Sequence, residues 1–218
     1  MPEILTEIEA RVLGSLVEKQ LTTPEYYPLT LNALINACNQ KSNRDPVVSY
    51  DETTVNQCLE NLRDRNLVYV FYGSTSRVPK YKHMVPSVYE LEPPETAVMD
   101  VMMLRGPQTL GELRTRTERL YNFSGLGEIQ ETLDGLVRRD DPLVVKLPVQ
   151  PGQKEARFAH LLSGEIDVEA LAVAQTVRAR HGAADAERVE KLEEEVINLR
   201  GEIETLKQTF EEFRKQFE

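Results

Sequence analysis

The sequence predicts a mostly α protein with small β-hairpins (α+β), built as two tandem winged-helix domains followed by a C-terminal coiled-coil helix. Three observations predict it: three amphipathic helices running into a hairpin, a second copy of that run in the same order, and an unbroken heptad from Val189 onward. The expected boundaries are residues 1–92 for the first module, 93–165 for the second, 166–184 for a helical linker and 185–218 for a parallel coiled coil.

The first module opens with Ile8, Val12, Leu13, Leu16 and Val17, spaced as one helix face. After the Tyr27-Pro28 break, Thr30 is placed to cap a second helix. Leu31, Leu34, Ile35 and Cys38 fall at i, i+3, i+4 and i+7, so Cys38 is a core residue. Beyond a loop over 41–48, Val55, Cys58, Leu59 and Leu62 mark a third helix starting near Asp51. Leu67 to Tyr72 reads as a strand, Gly73-Ser74-Thr75-Ser76 as a turn, and Arg77 to Met84 as the returning strand.

The second module echoes the first in order. Val12-Leu13-x-x-Leu16-Val17 matches Val98-Met99-x-x-Met102-Met103, and Thr30-Leu31-x-x-Leu34 matches Thr109-Leu110-x-x-Leu113. Val55, Leu59 and Leu62 match Ile129, Leu133 and Leu136, and each third helix runs into Leu-Val, at Leu67-Val68 and Leu143-Val144. Pro151-Gly152-Gln153 marks the tip of a second hairpin. Glu92-Pro93-Pro94 reads as a short stiff connector between modules, because each proline restricts itself and the residue before it.

In the tail, Val189, Leu192, Val196, Leu199, Ile203, Leu206, Phe210, Phe213 and Phe217 alternate steps of three and four. Val, Val and Ile at successive a positions with Leu at d favour a parallel dimer, and the e and g charges pair with opposite sign only in that orientation. The dimerisation residues are Val189 to Phe213 of this series, the stalk spans about 45 Å, and the expected partner is a second copy of the chain. Asp167 to Arg180 reads as an Ala-rich helix, with His181-Gly182-Ala183-Ala184 as a loose joint.

Composition bounds the function. The 218 residues contain no apolar run long enough to span a bilayer and no secretion signal at the N-terminus, so a cytoplasmic protein is expected. Cys38 and Cys58 are too few for a disulfide framework and read as buried thiols. A net charge of −10, half of it after residue 165, opposes indiscriminate attraction to nucleic acid. His83, His160 and His181 show no metal-ligand spacing, and no phosphate-binding glycine loop occurs; no catalytic residue, metal or cofactor is expected.

Candidate macromolecule-binding residues lie in three places. Asn32, Asn36 and Asn39 share an arc of the second helix and lead into Lys41 and Arg44, either as a docking surface or as loop caps. Three asparagines cost such a helix roughly 0.5 kcal/mol each relative to Ala, so compensating contacts are expected. Asn56 and Gln57 sit on the polar face of the third helix, where Asn and Gln can read adenine, although Glu52 and Glu60 share that face. Arg77, Lys80, Lys82 and His83 make the first hairpin basic, and Arg114, Arg116 and Arg119 surround the second helix of module two.

The segment PEYYPLTLNALINACNQKSNRDPV (Pro24 to Val47), with RVPKYKHM, LRGPQTLGELRTRTERLYNF and LVVKLPVQPGQKEARFAHLL, resembles the YceH family of bacterial proteins. The resemblance implies a tandem winged-helix fold and a bacterial cytoplasm; it carries no activity to transfer to individual residues. Two functions fit: a dimeric, regulator-like nucleic-acid-binding protein, or an acidic protein-interaction adaptor laid out like the chromosome-condensation accessory proteins.

Overall fold

The structure, a computed structural model, describes residues 4–72, 78–149 and 153–167, and in the C-terminal segment residues 195, 196, 199–201, 203 and 207. The chain divides into two compact units, Met1–Ile166 and Asp167–Glu218.

In the first unit, helix α1 (Glu7–Thr22) starts where Thr6 and Glu9 cap each other. The Glu9 N–H donates to Thr6 Oγ1 at 3.2 Å and the Thr6 N–H to Glu9 Oε2 at 2.8 Å. Between Glu9 and Glu18 every residue of α1 is buried, polar ones included. A helix covered all round is a central one, and the rest of the unit assembles about it.

Strand β1 (Leu29–Thr30) precedes α2 (Leu31–Cys38), α3 (Glu52–Asp64), β2 (Val68–Phe71) and β3 (Lys80–His83). The antiparallel sheet has the order β1-β3-β2, with Tyr81 facing Leu29 on one side and Val70 on the other. Thr30 does cap α2, accepting from the Ala33 N–H at 3.3 Å, and Cys38 and Cys58 are buried thiols. Burial pushes the Cys58 thiol up to about 12. The two-residue strand β1 was not expected from the sequence; no alternation can be read from two residues, and only pairing with distant β3 defines it.

After the four-residue helix α4 (Val85–Val88), α5 (Pro93–Arg105), α6 (Leu110–Thr117), α7 (Leu126–Val137), β4 (Val144–Lys146) and β5 (Phe158–His160) repeat the order of the first half. In the place of β1, Gln108 exchanges both backbone hydrogen bonds with Phe158, at 2.9 and 2.7 Å. Glu92-Pro93-Pro94 is not the connector expected above. Glu92 caps α5 in a capping box with Glu95, and the prolines fill its first turn, where missing N–H groups cost nothing. Helix α5 ends at Gly106, whose φ of +70° lies where a side chain is unfavourable.

The two halves share one core, a single cluster of buried side chains running from Leu5 to Leu162. α1 packs on α5 so closely that a Cβ at Gly14 would lie 2.9 Å from Leu104 Cδ2 and 3.2 Å from Met103 Cβ. The ends of the unit meet, the Leu5 N–H donating to the Leu162 carbonyl at 2.7 Å. The long loop after α2 is tied to the second half: the Asp45 N–H donates to the Leu104 carbonyl at 3.0 Å. Arg139 ties α7 back to the α4–α5 turn, donating to the Tyr89 and Glu90 carbonyls at 2.6 Å each.

In the second unit, Val196, Leu199 and Ile203 lie on helical backbone and are 46%, 51% and 54% exposed. Val189, Leu192, Leu206, Phe210, Phe213 and Phe217, and all but the first residue of the expected Ala-rich helix, lie outside the described residues. Among the described residues no helix is long and apolar enough to cross a membrane. The protein is thus a mixed α/β chain with small antiparallel sheets.

Candidate functional site

Strand alternation divides the side chains of the first sheet between two faces. Val68, Tyr81 and His83 are buried against the helices, whereas Tyr69, Phe71 and Lys82 are exposed and Lys80 is half-buried. The register sets Tyr69 opposite Lys82 and Phe71 opposite Lys80. Cross-strand partners on one face stand about 5 Å apart at Cβ. The outer face is therefore a small platform of two aromatic rings, each beside a lysine. Tyr69 and Phe71 are 54% and 52% exposed, and Tyr72, the residue after β2, is 66% exposed.

Single exposed rings are ordinary, but adjacent exposed apolar side chains rimmed by polar groups mark interaction sites. The face offers flat π surfaces and ammonium groups, the two elements that bind unpaired bases and their phosphates. Sequence reading found the lysines and overlooked the aromatics. The available signal was the alternation Val68-Tyr69-Val70-Phe71, which puts the two aromatics on the face opposite the core.

The residues expected to bind meet different fates. His83 leaves the basic hairpin: it is buried beside Tyr27, whose hydroxyl accepts the His83 backbone N–H at 2.7 Å, and its Nδ1 accepts the Val85 N–H. Burial, with Lys82 adjacent, lowers its pKa to about 4, so it is neutral at physiological pH. Arg44 is buried too, which corrects its placement on a docking surface. It pairs with Glu18 at 2.7 Å and donates to the Ala37 carbonyl through Nε and Nη2 and to the Asn43 carbonyl through Nη1. A guanidinium so engaged holds the loop and has no surface role.

Asn39 is a loop clamp, donating to the Tyr50 carbonyl and accepting the Tyr50 N–H at 2.8 Å each. Asn32, Asn36 and Lys41 are exposed near it. On α3, Gln57 is exposed and Asn56 lies half-buried, 3.4 Å from Glu60 Oε1. The exposed residues of that helix include Glu52, Glu60 and Asp64 against the single cation Arg63. The contact candidates therefore lie on separate elements, and among the described residues Lys80 and Lys82 are the candidates that join the aromatic face. Arg77 lies outside the described residues. No group of three or more His, Cys, Asp or Glu side chains suited to a metal occurs among the described residues.

Residues 5–153 match the family model described as "Protein of unknown function, DUF480". This chain belongs to the DUF480 family. DUF480 relatives include proteins named UPF0502 from Pelobacter propionicus and Geobacter sulfurreducens, each 48% identical with the whole of both chains covered. Another, from Opitutus terrae, is 57% identical over 166 residues, 76% of this chain and 72% of its own. Membership accords with the resemblance drawn from the sequence, and it extends across both halves of the first unit.

Proposed function

We propose that the protein is a dimeric nucleic-acid-binding protein of winged-helix type that grips unpaired bases on the outer face of its first sheet. The observation that carries this is the platform of Tyr69 and Phe71 paired across the strands with Lys82 and Lys80. Stacking on each ring is worth about 1–3 kcal/mol per base, and each lysine offers a phosphate contact.

Other features support the reading. Each half runs helix, short extended segment, helix, helix and hairpin, the order of a winged helix. The acidic surface of α3 suits it poorly to a duplex major groove, which favours unpaired strands over duplex as the target. Val196, Leu199 and Ile203, exposed on helical backbone and in heptad register, support pairing of two chains through residues 185–218. No catalytic role is assigned to any residue.

The second reading is an acidic protein-interaction adaptor, favoured by the carboxylates Glu52, Glu60 and Asp64 on α3 and by the net charge of −10. Fluorescence anisotropy with a labelled single-stranded oligonucleotide separates the two. Wild-type protein is expected to bind, and a Tyr69→Ser/Phe71→Ser variant of unchanged stability to bind at least tenfold more weakly. Absence of binding by the wild type at low salt rejects nucleic acid and leaves the adaptor.

A further inference from the structure

A cleft lies where α1, the loop after α2, α5 and α6 converge. It is lined by Glu18, Asn43, Asp100, Arg105, Arg116 and Arg119 over an apolar wall of Val101, Leu104 and Leu120. Its enclosed space is about 10 Å3, room for one water-sized group, beneath an open mouth. An ion larger than water is therefore held at that mouth, against the guanidinium groups, rather than inside it.

Arg105, Arg116 and Arg119 line this cleft, and Lys19, Arg44 and Arg157, outside its lining, share carboxylates with two of them. Glu18 is shared by Arg44 at 2.7 Å, Lys19 at 3.5 Å and Arg119 at 3.6 Å. Glu112 is shared by Arg157 at 2.7 Å and Arg116 at 3.5 Å. Arg116 also donates to Gln108 Oε1, and Arg105 donates to the neutral Asn43 amide oxygen at 2.5 Å. Burial, and then the charges of Arg116 and Arg44, make the protonated Arg105 less favourable than usual.

The other anomaly is Asp100. It is 1% exposed, it lines the cleft, and neither carboxyl oxygen has a side-chain hydrogen-bond partner, the Glu18 backbone being the one hydrogen-bonding group that favours its ionised form. Burial, then the charge of Glu18, raises its pKa well above the carboxylate range and favours the neutral acid. A buried carboxyl with so few partners is costly in either form. An oxyanion would accept its O–H and would neutralise the surrounding guanidinium groups.

We propose that this cleft binds a small tetrahedral dianion, inorganic phosphate or the terminal phosphate of a small phosphomonoester, between Arg105, Arg116, Arg119 and Asp100. The site is built from both halves, Glu18 and Asn43 from the first and the remaining polar groups from the second, so the ligand straps them together. It is separate from the aromatic platform and does not depend on the function proposed for that face.

The probe is inorganic phosphate, titrated against the full-length protein by calorimetry and by thermal unfolding, with chloride holding ionic strength constant. The expected result is saturable binding, one phosphate per chain, with a melting temperature that rises with occupancy. Arg119→Gln, at a side chain 59% exposed and therefore removable without unfolding, is expected to bind phosphate roughly ten- to a hundredfold more weakly, as is Arg105→Gln. Absence of saturable heat, or a linear rise in melting temperature equal in wild type and Arg119→Gln, overturns the site; the second result is a general salt effect. A single-stranded oligonucleotide lacking terminal phosphates is expected not to compete. Competition would assign the arginines to a nucleic-acid backbone and would equally overturn the small-anion site.

Discussion

His83 and Arg44 show how polar residues that look like surface in a sequence become structural. His160, on β5, joins His83: burial lowers both imidazoles to about 4. The unfolded chain takes up these protons near pH 6.5, the folded chain only near pH 4, so stability falls as pH drops through that window. Each histidine contributes a slope of up to about 1.4 kcal/mol per pH unit. Glu18 adds to the loss: burial raises its pKa, but the Arg44 hydrogen bond and charge outweigh burial and leave it lowered. Asp100, with its raised pKa, opposes the loss. Denaturant unfolding at several pH values checks this; His83→Gln should flatten the slope by about one histidine's share, whatever its effect on absolute stability. Arg44→Met leaves Glu18 buried without its nearest cation and should cost about 3 kcal/mol. A loss below about 1 kcal/mol, close to that of an exposed pair, would show that the Glu18–Arg44 bridge is solvated.

At the scale of elements, the helices were legible because apolar spacing reports burial directly. Leu31, Leu34 and Cys38 line α2, and Val55, Cys58, Leu59 and Leu62 line α3, as their spacing indicated. Strand β1 was not legible, nor was the role of Pro93 and Pro94, since a proline pair opens a helix as readily as it separates two. The cleft was hidden for a different reason: its residues come from positions 18, 43, 100, 105, 116 and 119, and only tertiary packing unites them. One local sign existed, a carboxylate at Asp100 inside the apolar run from Ala97 to Leu104. The α1–α5 crossing gives an element-scale prediction. Gly14→Val puts a branched side chain against Leu104 and Met103, and should destabilise the first unit by about 1–3 kcal/mol. A neutral result in urea unfolding would mean that the crossing yields more readily than its spacing suggests.

For the whole molecule, two near-repeats fused by α1 and α5 leave the outer face of the first sheet open. The heptad of the tail doubles that face if two chains pair. Removing residues 185–218 should convert the dimer to a monomer by light scattering, and a truncated chain that still has the mass of two copies would place the dimer interface elsewhere. Such pairing would also present two aromatic platforms to one strand, so the deletion should weaken binding to a long oligonucleotide more than to a short one.

The most direct test is photocrosslinking of a bromouridine-substituted single-stranded oligonucleotide to the full-length protein, followed by mass-spectrometric mapping of the modified residues. The account predicts adducts at Tyr69, Phe71 or Tyr72 that vanish at high salt; adducts confined to α3, or none at low salt, would contradict it.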